Sequence, residues 1–268
     1  MSGRVLGAHQ KLNRLARGRL SLLLPKDSAF PGIKQIQHFE GVNGPDAIKR
    51  KSPAKDEPWH YYSPFNPEDT DLLDLITKHY TQLVQALKEH DEIRAAFEAA
   101  WLAHAIVDGL TPAHHYPYEE MLTELRGGAG IDTRTTIKDK LVLPGETRRA
   151  QVRNNWKMWG PRGLLATHGF FEFGVAAIIK PLSTKQIPLS EKDVQDLEEH
   201  GLVEVFRRTA KEVSSLGMYD TYMKAGWTPR LARQIRKHLV PAIVKVVTLA
   251  WYSAAVAAKA EAKPMERP

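Results

Sequence analysis

Two histidines and an aspartate lie at spacings that suit a shared metal ion. His104 and Asp108 are four residues apart in the segment AAWLAHAIVDGL, and His114 follows Thr111 and Pro112. Residues four apart lie on the same face of a helix, so one cation can bind both side chains. A tight turn at Pro112 would bring His114 back toward that centre. From spacing alone, a structural role for the three residues is an equally good interpretation.

A second pair with the same spacing, His168 and Glu172, lies in the segment THGFFEFG, which is typical of a separate helix. Two ligand pairs on two helices suit a metal ion held inside a helical bundle. His115 and Glu119 are also four residues apart, and spacing does not choose between the two pairs. Because the chain has no cysteine, any metal site has to consist of histidine and carboxylate ligands.

The run from His104 through Asp108 to His114 resembles the metal motif of the zinc-dependent phospholipase C and single-strand nuclease superfamily. In that superfamily a His-x3-Asp helix leads into a Gln-Pro-x-His turn, and here Thr111 takes the place of the glutamine. The resemblance implies an all-α fold, an upstream Asp and His, and a downstream His-x3-Glu or His-x3-Asp pair.

Both implied partners are present. Asp46 precedes His60 by fourteen residues, and His168 with Glu172 fills the downstream pair, which favours that pair over His115 and Glu119. Carried over residue by residue, the resemblance implies two or three zinc ions. The first would be bound by Asp46, His60, His104 and Asp108, the second by His114, His168 and Glu172, and the third by His9, with Asp108 bridging.

The sequence departs from the family pattern in two places. In the secreted family members an N-terminal Trp completes the third site with its α-amino group, whereas this chain begins Met-Ser-Gly, so the amine of Ser2 would have to substitute for it. The segment between His114 and His168 has 53 residues, longer than usual, and contains a Gly-rich, basic insert that would reshape the substrate cleft.

The resemblance implies a phosphodiester hydrolase that uses a metal-bound hydroxide and resembles phospholipase C, with a single-strand nuclease as the alternative. Asp46 is the candidate catalytic residue, since it could orient the attacking water as well as bind zinc. The net charge of +7 suits an anionic phosphodiester, either phospholipid or nucleic acid, and a peripheral contact with a membrane. Solubility alone would also account for that charge.

Two further groups of residues have both a functional and a structural interpretation. The aromatic residues around His60 could line the cleft or simply pack in the loop; they are Trp59, Tyr61, Tyr62 and Phe65. The basic residues of the insert could face phosphates or form a solvated surface; they are Arg148, Arg149, Arg153 and Lys157.

Two other classes of protein compete with the zinc phosphodiesterase. A metal enzyme of the His-Asp phosphohydrolase type would use the adjacent residues His90 and Asp91, which lie at the exposed end of a predicted helix. A non-catalytic helical module would hold a structural metal, or no metal, and dock to a membrane or nucleic acid through its basic face.

Apolar periodicity predicts a multi-helix bundle in one domain, residues 1–268, with almost no alternating strand pattern. Pro25–Pro67 is rich in helix breakers and is predicted to be a long ordered loop. Predicted helices begin near Asp69, Ile93, Pro112, Asn155 (with a break at GPRG), Ser190 and Pro229, and a Gly-rich loop is inserted after Arg126.

No segment is predicted to cross a membrane or to direct export. The best apolar run near the N-terminus, Leu20–Leu24, is too short for a secretory signal peptide. The longest apolar stretch, Ile243–Ala258, contains Lys245 and is shorter than the roughly 18 to 20 residues that a spanning helix needs. It is predicted to be a core helix.

Overall fold

A computed structural model describes residues 7–25, 28–49, 51–53 and 59–261, so Ser2 lies outside the described residues. Within those ranges the chain is all-α, as predicted, and contains no β-strand. The α-helices are α1 (Ala8–Leu20), α2 (Ile33–His38), α3 (Pro45–Lys49), α4 (Asp71–Lys88), α5 (Glu92–Leu110), α6 (Tyr118–Leu125), α7 (Ile137–Leu141), α8 (Arg148–Trp159), α9 (Leu164–Ile179), α10 (Glu191–Ser215), α11 (Met218–Ala225), α12 (Pro229–Gln234) and α13 (Val240–Glu261).

The core forms around α13, which packs against α1, α4, α5 and α10. A π-helical turn, Ile235–Leu239, joins α12 to α13 without a break. Among the described residues, the resulting helix, Pro229–Ala260, is the one long and apolar enough to cross a membrane, and 67% of its most apolar window is buried within the protein. A core helix meets the same criterion, so length and composition alone do not separate a membrane span from the predicted core helix.

The helix α5 carries two of the predicted ligands, and its ends are fixed locally. The side chain of Asp91 caps the first turn by accepting a hydrogen bond from the backbone N–H of Arg94. The helix ends at Thr111, whose extended backbone is the conformation favoured before proline. At Gly109 a Cβ atom would overlap Leu72 and Phe206, so glycine lets α4 and α10 approach α5 closely beside Asp108.

The prediction of one helix from Pro112 to Arg126 was wrong. The segment forms a 3-10 turn, Pro112–His115, and then the separate helix α6. The interruption falls at Tyr116, which is extended because Pro117 follows it and disfavours helical backbone at the preceding residue.

The predicted long loop Pro25–Pro67 also contains regular structure, namely α2, α3 and the 3-10 turn Gly41–Asn43. Residues 26–27, 50 and 54–58 of that loop lie outside the described residues. The Gly-rich insert likewise contains a 3-10 turn, Ile131–Thr133, and the short helix α7. These helices and turns have three to six residues each, too few to produce a clear apolar period.

Candidate metal centre

Five separate elements bring the predicted ligands to one region. His9 lies in the first turn of α1, Asp46 in α3, and His104 and Asp108 in α5. The 3-10 turn after α5 supplies His114, and α9 supplies His168 and Glu172. Their ligand atoms form two groups of three, each within 4.8 Å of one another: the first cluster (His9, Asp46, His104) and the second cluster (His114, His168, Glu172).

In the first cluster two imidazoles lie face to face. The rings of His9 and His104 stack with their centroids 4.1 Å apart. His104 Nε2 is 3.8 Å from Asp46 Oδ1. The side chain of Asp46 is 46% exposed whereas that of His104 is 4% exposed, so the first cluster opens to solvent on the side of Asp46.

In the second cluster one carboxylate oxygen serves two imidazoles. Glu172 Oε1 lies 2.9 Å from His114 Nε2 and 3.1 Å from His168 Nε2. The Glu172 side chain is 38% exposed and that of His114 only 2%, so the second cluster also has a buried side and an open side.

Asp108 connects the two clusters. Its Oδ1 is 3.2 Å from His9 Nε2 and 3.6 Å from His114 Nε2, and its Oδ2 is 3.2 Å from His104 Nε2. A single carboxylate, 1% exposed, therefore contacts imidazoles from both clusters. His9 lies with Asp46 and His104, and it also contacts Asp108, the pairing that the resemblance implies for a third zinc. A separate third zinc site stays a prediction.

The donor set fits zinc. Zinc bonds of about 2.0 to 2.2 Å in a tetrahedral site place neighbouring ligand atoms about 3.3 to 3.6 Å apart. The separations of 3.2 to 3.8 Å around Asp108 and Asp46 bracket that range, whereas those of 2.9 and 3.1 Å at Glu172 are hydrogen-bond distances. His104 Nε2 is buried and lies between two carboxylates, 3.2 Å from Asp108 Oδ2 and 3.8 Å from Asp46 Oδ1. A buried imidazole nitrogen beside two carboxylates is a donor set that suits a divalent cation.

Glu40 holds His104 in position, and it is not among the residues predicted from the sequence. Its Oε1 is 3.0 Å from His104 Nδ1, and both side chains are buried. A carboxylate that accepts the Nδ1–H of a histidine fixes the tautomer and turns Nε2 toward the metal. The only signal in the sequence is an acidic residue in the segment HFEGVNGPD, six positions before Asp46.

The electrostatics of the clusters show how strongly the acidic and imidazole groups interact. Burial lowers the pKa of His104, but the carboxylates of Asp108 and Glu40 outweigh it and raise that pKa well above the usual value. Burial raises the pKa of Glu172, but hydrogen bonds from His114 and His168 outweigh it and hold that pKa well below the usual value. The carboxylates beside His104 thus attract positive charge, whereas in the second cluster burial lowers the pKa of His114.

His60 lies beside the centre and belongs to neither cluster of three. Its ring is 5.3 Å from that of His114, edge to face, and it lines a small cavity together with His104 and Trp59. It is therefore adjacent to both clusters, and its assignment as a ligand stays a prediction.

The competing pair, His115 and Glu119, makes contacts outside the two clusters. His115 donates Nε2–H to the carbonyl oxygen of Gly109 at 2.8 Å, and burial lowers its pKa to about 4. Glu119 forms an ion pair with Arg134. Neither residue belongs to the two clusters, so the geometry favours His168 and Glu172 as the ligand pair.

The adjacent residues His90 and Asp91 lie on the surface, at the junction of α4 and α5. The carboxylate of Asp91 caps α5, and His90 has a left-handed backbone with φ of 56° at the end of α4. A helix junction accounts for both residues without a metal ion.

Three of the four aromatic residues near His60 line a cavity of about 460 Å³ that reaches His114; they are Trp59, Tyr61 and Tyr62. Phe65 instead projects into solvent. The four basic residues of the insert lie on α8 and are exposed, as the interpretation of a solvated surface expects; they are Arg148, Arg149, Arg153 and Lys157.

We expect Glu172→Gln to lower zinc affinity by at least tenfold, because the amide loses the charge that faces His114 and His168. The matched control is Glu119→Gln, which removes the ion pair with Arg134 and should leave zinc affinity within about twofold. Competition with a fluorescent zinc chelator measures both constants. Loss of zinc binding in Glu119→Gln alone would instead assign the site to His115 and Glu119.

No protein-family model matches this chain, and no curated protein or solved structure is similar enough to it to indicate a relative.

Proposed function

We propose that this protein is a zinc-dependent phosphodiesterase of the phospholipase C and single-strand nuclease type, with phospholipase C-like activity as the first candidate. The observation that carries the proposal is Asp108, whose carboxylate contacts imidazoles of both clusters. A carboxylate that lies between two sets of His and carboxylate ligands can bridge two neighbouring metal ions. A site for one structural metal does not need such a bridging carboxylate.

Access to the centre supports a catalytic role over a purely structural one. Structural zinc sites are closed, whereas catalytic sites keep an open position for water or substrate. Here Asp46 and Glu172 are partly exposed, one on each cluster. Bound zinc would acidify water and stabilise charge on phosphoryl oxygens. In this proposal Asp46 would bind zinc and orient the attacking water.

The neighbouring cavity offers a place for the substrate. It adjoins His114 and is lined by Trp59 and Tyr61, whose faces can contact either an acyl glycerol or a nucleobase. The excess of positive charge suits both kinds of phosphodiester. The charge does not choose between the two substrate classes. Measuring hydrolysis of phosphatidylcholine and of single-stranded DNA side by side identifies the substrate class.

The test combines metal analysis of the purified protein with hydrolysis of bis-p-nitrophenyl phosphate. We expect two or three zinc ions per chain, loss of hydrolysis after chelation and recovery when zinc is restored. Zinc-free protein with unchanged hydrolysis would exclude the proposal. One tightly bound zinc without hydrolysis of any phosphodiester would instead indicate a non-catalytic module with a structural metal.

A further inference from the structure

The helix α8 exposes an apolar stripe that is partly covered only at Trp159, whose Nε1–H donates to the carbonyl oxygen of Leu141. Val152, Trp156 and Trp159 follow the four- and three-residue spacing of one helix face. Val152 is 70% exposed and Trp156 is 68% exposed. A soluble helix normally turns such a face toward the core, and large exposed apolar surfaces mark sites of interaction.

The neighbouring helix α9 also exposes apolar side chains. It packs against α8, and two of its phenylalanines, Phe170 and Phe173, are 58% and 66% exposed. Its inner face is already packed, since Phe171 is fully buried and stacks on Trp227. Phe170 and Phe173 are therefore not part of the core packing of α9.

Positive charge accompanies the apolar stripe. A second stripe of α8, beside the apolar stripe, is basic. Its members are all exposed; they are Arg149, Arg153 and Lys157. Between Arg148 and Gly163 the sequence contains five basic residues and no acidic residue. Tryptophan and phenylalanine beside lysine and arginine are the side chains by which amphipathic helices lie in the interface of an anionic bilayer.

We propose that the exposed apolar and basic stripes of α8, together with Phe170 and Phe173 of α9, form a docking surface for an anionic lipid bilayer. Charge argues against a second copy of this chain, because a symmetric contact would place the arginines of both copies together. Aliphatic Val152 at the N-terminal end of the stripe favours acyl chains over stacked bases. The proposal includes no residue of the two metal clusters.

The test is co-sedimentation of the full chain with sucrose-loaded vesicles, made either of phosphatidylcholine alone or of phosphatidylcholine mixed with phosphatidylserine. We expect binding to the mixed vesicles that weakens with salt. Reversing two charges, Arg149→Glu with Arg153→Glu, is expected to weaken it about tenfold or more, since each cation near the surface contributes about 1 kcal/mol. Trp156→Ser is expected to weaken binding by a similar factor.

Matched controls come from α4 and α5, where Lys78 and Ile93 are equally exposed. Lys78→Glu and Ile93→Ser should leave vesicle binding unchanged, and circular dichroism verifies that every variant is folded. Vesicle binding should persist after zinc is removed with a chelator, whereas hydrolysis should not. Failure of the membrane proposal is therefore distinguishable from failure of the proposed hydrolase activity.

Three results would overturn the proposal. The first is no binding to the mixed vesicles, and the second is equal binding by the wild type and the α8 variants. The third is a lipid-free dimer that Trp156→Ser dissociates, which would assign the surface to a second copy of the chain. Single-stranded DNA binding that is lost in the same variants, without vesicle binding, would assign the surface to nucleic acid.

Discussion

Replacing Asp108 with asparagine is expected to lower hydrolysis of bis-p-nitrophenyl phosphate by at least about a thousandfold, because a catalytic metal site supplies several kcal/mol of stabilisation in the transition state. The substitution keeps the size of the side chain and removes its charge. Asp108 contacts His9 and His104 on one side and His114 on the other. One substitution therefore weakens both clusters, and zinc content should fall below one ion per chain.

The matched control for Asp108→Asn lies on the same helix. Asp91→Asn changes the residue that caps α5, and it should cost no more than about 1 kcal/mol of stability while leaving zinc content and hydrolysis intact. Metal analysis, circular dichroism and initial rates are measured on both variants. Full zinc content in folded Asp108→Asn would exclude a bridging role for this carboxylate.

Local geometry explains why the helix-borne part of the site can be predicted from sequence. The four-residue spacing puts His104 and Asp108 on one face of α5 as soon as that helix forms, and there Nε2 and Oδ2 lie 3.2 Å apart. The same holds for His168 and Glu172 on α9, whose Nε2 and Oε1 are 3.1 Å apart. The all-α class is predictable for a similar reason, since it follows from periodicity within each segment.

Contacts between distant segments explain what the sequence did not reveal. The position of His9 depends on how α1 packs, and the stacking of its ring on His104 places it in the first cluster. Glu40 approaches His104 across 64 positions of the chain, from a short segment with no periodic pattern. The break before α6 is caused by Pro117, which is visible in the sequence. The incorrect prediction of one continuous helix from Pro112 could therefore have been avoided.

Replacing Trp251 with alanine is expected to lower the free energy of unfolding by about 3 to 5 kcal/mol, because it leaves a large cavity in the core. Trp251 is the largest fully buried side chain, and its Nε1–H donates to the carbonyl oxygen of Ala99 at 3.0 Å. The midpoint of thermal unfolding should fall by on the order of 10 °C, measured at one fixed zinc concentration.

The control for Trp251→Ala is Trp156→Ala, which removes the same side chain from an exposed position and should change stability by less than about 0.5 kcal/mol. The comparison also tests whether α13 is a core helix or a membrane span. Protein that needs detergent to stay in solution, with equal midpoints for the two variants, would contradict a core helix. Trp251 contacts α5 at Ala99, five residues before His104, so the core helix also supports the helix that carries the metal ligands.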